Sequence, residues 1–139
     1  MIDPLRDSTQ IAYSGLGAQS LRLRVISENI ANARSTGDTP GSDPFARKIV
    51  SFERELDRVS GASTVRVKDI FADERPFKLE HDPGNPAADA EGMVKTPNVD
   101  VLVELSDMRE ANRSYEANLQ VVKQSNELMT MTINMLKDN

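Results

Sequence analysis

The sequence predicts a mainly α chain with a small β insert. Long N- and C-terminal helices are expected to pack as a coiled-coil-like pair, with a short β-hairpin and loop module between them. Three observations predict this. Apolar residues recur at three-four spacing at both ends of the chain. That period disappears between about Ser35 and Lys95. Inside the gap, two short stretches alternate apolar and polar residues. The expected divisions are an N-terminal helix over 1–34, a loop and hairpin insert over 35–97, and a C-terminal helix over 98–139.

In the first division Ala12, Leu16, Leu23, Ile26, Ile30 and Ala33 fall on one helical stripe, with Gln19 its polar member. Pro4 is tolerated at a helix start. Gly15 and Gly17 each cost about 1 kcal/mol relative to Ala, so this helix is weak in isolation. Its last turns, "SENIANARSTG", carry Asn29 and Asn32. Asparagine is a poor interior helix residue because its amide competes for the backbone.

In the insert, "STGDTPGSDP" reads as loop. "STVRVKDIF" and "PFKLE" alternate and read as strands, and "ADERP" between them is expected to turn a hairpin. A lone hairpin is marginal in water, so this module must lean on a neighbour. "HDPGNPAADAEG" is loop again.

The C-terminal helix is longer and has no Gly or Pro. Asn98 suits its N-cap, and Asp100 in the first turn complements the helix dipole. Met108, Asn112, Tyr115, Leu119, Val122, Asn126, Met129, Ile133 and Leu136 alternate steps of four and three. They form a heptad seam with asparagine at two positions, and Asn118 lies beside it. A buried interface asparagine disfavours slipped registers, because slipping leaves its amide unpaired. Asn29, Asn32, Asn112, Asn118 and Asn126 are therefore expected to set register.

Composition narrows the function. Hydrophobic residues are 38% and aromatics only 4%, with no Trp. Core-building side chains are scarce, and partner subunits are expected to complete the burial. The net charge of -5 gives no basic face for a nucleic acid. No cysteine is present, which excludes disulfides and thiolate metal sites. No run approaches the roughly 20 apolar residues of a membrane span. "MIDPLRDSTQ" carries Asp3 and Asp7 and no apolar core, so no cleaved signal peptide is expected.

His81, the sole histidine, sits near Glu80, Asp82 and Asp89. The group lacks the spacing of a dedicated zinc or calcium site. Ser27, Ser60 and Ser106 lack a nucleophile-elbow context, and "GDTPG" lacks the Lys of a phosphate loop. No catalytic residue, metal or cofactor is expected.

"SGLGAQSLRLRVISENIANARSTG" resembles the N-terminal signature of bacterial flagellar axial proteins, the rod and hook group, with "NIAN" (Asn29 to Asn32) at its centre. "DPGNPAADAEGMVKTPNVDVLVELSDMREANRSYEANLQVVKQS" is similar to the proximal rod members of that group. Three features depart from the family pattern. "PFARK" replaces a common Tyr-Arg-Arg run, Asn85 stands where His is common, and "STGDTPGSDP" is extended.

The resemblance implies a non-enzymatic structural subunit of a hollow, helically assembled rod that transmits torque and surrounds an export channel. It implies a periplasmic place in the basal body and export through the flagellar type III apparatus without signal cleavage. The implied partners are copies of itself, the rod proteins FlgB, FlgF and FlgG, the rod-to-ring adaptor FliE, and the membrane ring and export gate. On this reading Leu16, Leu23, Ile26 and Ile30 supply one assembly stripe. Tyr115, Leu119, Val122, Met129, Ile133 and Leu136 supply the other. Two other classes remain: a coiled-coil adaptor or export chaperone, which would form a closed dimer, and a metal-dependent enzyme built on His81.

Overall fold

The computed structural model describes residues 4–58 and 61–137. Helix α1 spans Pro4–Ala31 and helix α2 spans Val101–Lys137. Between them lie β1 (Lys48–Leu56), β2 (Ser63–Ala72), β3 (Lys78–His81) and β4 (Met93–Thr96). The strands form two two-stranded sheets, β1 with β2 and β3 with β4. Two long helices with a small antiparallel β module between them is the architecture expected from the sequence.

The pairing inside the insert differs from the expectation. "ADERP" does not turn a hairpin between β2 and β3. Strand β2 pairs back onto β1, and β3 pairs forward onto β4. Asp57 N–H donates to Ala62 C=O (2.9 Å), and Asp73 N–H donates to Arg47 C=O (2.7 Å). One number rises as the other falls, as an antiparallel ladder requires. Pro76 has no N–H for a ladder, and the Asp73 and Arg75 carbonyls accept from the Asn98 amide instead. Strand β1, "KIVSFEREL", alternates poorly, and β4 has only four residues; neither carries a clear period.

The helix ends follow their caps. Asp100, not Asn98, caps α2: its Oδ1 accepts from the N–H groups of Leu102 (3.0 Å) and Val103 (3.4 Å). The Asn98 amide bonds elsewhere, so the cap falls two residues later than expected. Helix α1 stops at Ala31 rather than residue 34. Just past its end, the Asn32 backbone N–H (3.1 Å) and Nδ2 (2.8 Å) both donate to Glu28 C=O.

The chain divides into two compact units. The first comprises Met1–Leu23, Ser51–Asp69 and Arg109–Asn139. Its helical stretches run antiparallel: Arg22 pairs with Glu110 (3.5 Å), and Gly15 faces Asn118. A Cβ added at Gly15 would lie 2.7 Å from Asn118 Nδ2, so the helices approach here as only glycine permits. The buried residues are correspondingly small: Ala12, Ala18, Ala62, Ala111, Val122 and Ser125. The hairpin is tied to α1 by Gln10 Nε2 donating to Asp57 Oδ2 (2.7 Å) and by Val65 N–H donating to Ser14 Oγ (3.1 Å).

The second unit comprises Arg24–Val50 and Ile70–Met108. Val25, Ile26, Ala87, Val94 and Val99 form its apolar core. Strand β3 pairs antiparallel with β4, from Lys78 opposite Thr96 to His81 opposite Met93. The loop between them closes at Gly92, whose φ of 75° puts it in the left-handed region. Its carbonyl accepts from Asp82 N–H (3.0 Å), and its own N–H donates to Asp89 C=O (3.0 Å).

Candidate functional site

The second unit holds a polar hub built by four stretches of chain. Asn29, on the last turns of α1, is 1% exposed. Its Oδ1 accepts from Lys48 N–H (2.8 Å), and its Nδ2 donates to Lys48 C=O (2.9 Å). The amide thus meets the first residue of β1 as a neighbouring strand's peptide would. The same Nδ2 donates to Glu104 Oε2 (3.0 Å). Glu104, on the second turn of α2, is 0% exposed. Its other oxygen, Oε1, accepts from Arg47 Nε.

Arg47 extends the network. Its guanidinium also reaches Asp73 (3.6 Å) and Asp107 (3.5 Å). Its N–H donates to Asn98 Oδ1 (2.8 Å). Asn98 in turn donates to the carbonyls of Asp73 (3.0 Å) and Arg75 (2.8 Å). Arg75 hydrogen-bonds the Asp73 carboxylate and holds it below the usual aspartate range; burial opposes that shift, and Arg47 adds to it. Two cations therefore meet three carboxylates: Arg47 and Arg75 against Glu104, Asp73 and Asp107. A buried carboxylate is costly unless paired and hydrogen-bonded, and each Glu104 oxygen has a donor. The hub performs no chemistry that its geometry suggests. It joins the end of α1, the start of β1, the 73–75 connection and the start of α2.

The residues singled out from the sequence fall into three groups. Asn29, Ile26 and Val122 are buried inside the chain. Leu16, Leu23, Ile30, Asn32, Tyr115, Asn118, Leu119 and Met129 are half-buried. Asn112, Asn126, Ile133 and Leu136 are exposed, Ile133 at 53% and Leu136 at 75%. Asn118 Nδ2 donates to Ser114 C=O (2.9 Å) on its own helix.

The seam period on α2 matches, but its second row is displaced by one residue. Met108, Tyr115, Val122 and Met129 lie inward or at the margin, as expected. The other inward row is Glu104, Ala111, Asn118 and Ser125, with Leu119 half-buried beside it and Asn112 and Asn126 exposed. At the close helix approach, Asn118 is the α2 side chain that meets Gly15. Sequence reasoning missed Arg47 and Glu104. Glu104, the one acid inside the apolar run "VLVEL", was the available signal.

Elsewhere, His81 is exposed on β3. Among the described residues no three His, Cys, Asp or Glu side chains group to hold a metal ion. No described helix is long and apolar enough to cross a membrane.

Large apolar side chains face outward along α2. Leu102 is 78% exposed, Leu105 41%, Leu128 49%, Met131 57% and Met135 64%.

Comparisons with known proteins show the family. Residues 10–41 match the family model "Flagella basal body rod protein". Residues 90–135 match "Flagellar basal body rod FlgEFG protein C-terminal". The chain is 62% identical over 136 residues to the flagellar basal-body rod protein FlgC of Agrobacterium fabrum, covering 98% of each. It is 44% identical to FlgC of Escherichia coli O6:H1 over 90% of this chain and 92% of that one. With FlgC of Bacillus subtilis the identity is 36%, over 81% and 85%. Of the hub residues, Asn29 lies in the first matched segment and Glu104 in the second, while Arg47 and Asp73 lie between them. The chain belongs to the FlgC family of flagellar basal-body rod proteins and is a structural subunit of the rod.

Proposed function

We propose that the subunit assembles by laying the outward face of α2 against neighbouring rod subunits, copies of itself and FlgB, FlgF or FlgG, in the periplasmic part of the basal body. The observation that carries this is the row of large apolar side chains on α2 from Leu128 onward, exposed at about half or more. Burying apolar surface is worth roughly 25 cal/mol per Å². The intrachain core is mostly Ala and Val and supplies little of it. Neighbours supply the rest, and the last turns of α2 gain their full order on assembly. The FliE adaptor and the membrane ring bound the rod at its inner end, and the type III apparatus delivers the chain without signal cleavage. The role is mechanical and needs no catalytic group or cofactor.

Replacing Ile133 or Leu136 by Asp tests this. Each side chain is solvent-facing in the free subunit, so the thermal midpoint should hold. Each Asp would be buried in an apolar contact on assembly, at a cost of several kcal/mol. The variants should be secreted at normal levels yet be missing from purified basal bodies, and the cells should not swim. Normal incorporation of both would show that this face does not mediate assembly, and a stable closed dimer would favour an adaptor role.

A further inference from the structure

Helix α2 places its residues against the usual rule. In its first two turns the charged Glu104 points inward at 0% exposure, while Val101, Leu102, Val103 and Leu105 face solvent at 39%, 78%, 49% and 41%. Successive helical residues lie about 100° apart, so Leu102 lies about 160° around the axis from Glu104. A rotation of that size would bury a leucine and hydrate the acid. In these first turns apolar burial alone favours the rotated arrangement, while farther along the helix the buried Ala111 and Val122 favour the observed one.

What opposes rotation is the hub. Glu104 is held by Arg47 Nε on one oxygen and by Asn29 Nδ2 on the other. Neither donor is on α2, so both bonds break if the helix turns. Rotation would leave the buried Asn29 amide and Arg47 Nε without that acceptor, and a buried donor with no partner carries its full desolvation penalty.

We propose that Glu104, pinned by Arg47 and Asn29, is the positioning residue that fixes which face of the first turns of α2 turns outward in the free subunit. Its role is choice of rotational phase rather than net stability, since buried ion pairs often contribute little of the latter. The inference concerns the free chain and stands apart from the assembly reading above.

The chain has no cysteine, so single introduced thiols report accessibility cleanly. Two reporters are needed in the full-length chain: Leu102→Cys, at an exposed position, and Val99→Cys, at a position 4% exposed. In the parent, the first should react fast with a maleimide and the second slowly. Adding Arg47→Met strands Glu104. The helix start should re-phase, slowing the reporter at position 102 by roughly tenfold or more while position 99 stays protected. Adding Glu104→Leu to Arg47→Met puts an apolar side chain at the inward position and should restore fast reaction at 102. Unchanged reactivity at 102 with Arg47→Met would overturn the proposal. So would fast reaction at 99 in the parent or in either hub variant, because the pair would then be maintaining the fold rather than choosing its phase.

Discussion

Replacing Asn29 by Ala removes three hydrogen bonds at once. Lys48 N–H and C=O lose their partner, and Glu104 loses the donor on Oε2. The two neutral bonds are worth about 1 kcal/mol each, and one to a buried carboxylate about 1.5 to 3 kcal/mol. Alanine returns about half a kcal/mol as the better helix former. The net loss is about 3 to 5 kcal/mol, a large share of the roughly 5 to 15 kcal/mol that stabilises an ordinary domain. Asn32→Ala is the internal control. Asn32 is half-buried and its side chain makes one bond, to Glu28 C=O on the helix it follows. Its loss should stay within about 0.5 kcal/mol. The assay is urea unfolding of the full chain, followed by circular dichroism, on the two single variants. The large loss should be confined to Asn29. If Asn29→Ala lies within about 1 kcal/mol of the parent, or if Asn32→Ala costs as much, the hub does not hold the subunit as described.

The two glycines of "SGLG" should behave oppositely. Gly17 has open space where a Cβ would sit, so Gly17→Ala should raise stability of the free subunit by up to about 1 kcal/mol. Gly15→Ala places its methyl on the Asn118 amide and should lower the thermal midpoint, with Gly15→Ala plus Asn118→Ala recovering part of the loss. Asp73 should contribute an acid limb to stability. Its folded carboxyl is held below the ordinary aspartate value of 3.8 by Arg75. Its contribution is therefore full above about pH 4 and lost as pH falls through the folded value. Asp73→Asn should flatten the drop in unfolding free energy below about pH 4, measured by urea titrations at stepped pH. His81→Ala, on an exposed strand position, should leave swimming and rod assembly unchanged; loss of motility with the rod intact would assign this residue a function.

By itself the sequence determined what depends on local periodicity and on short-range chemistry. The three-four spacing marked both helices, because an amphipathic stripe is a property of consecutive residues. Strands β2 and β3 were legible from their alternation, and so was the loop around "DPGNP". The flagellar signatures marked the family. Tertiary structure decided the rest. Which strand pairs with which is a choice between distant segments of similar propensity, so β1 and β4 went unread and "ADERP" was given a turn it does not make. Asn98 carried a good capping side chain, but its amide bonds three backbone groups outside α2, and Asp100 takes the cap. On α2 the heptad period was plain from sequence. Its inward row was not, because that depends on how closely Gly15 lets α1 approach and on where Arg47 and Asn29 can meet Glu104. A charge pointing inward beneath an outward leucine is stable only when its partners come from elsewhere in the chain, and no reading of neighbouring residues supplies them.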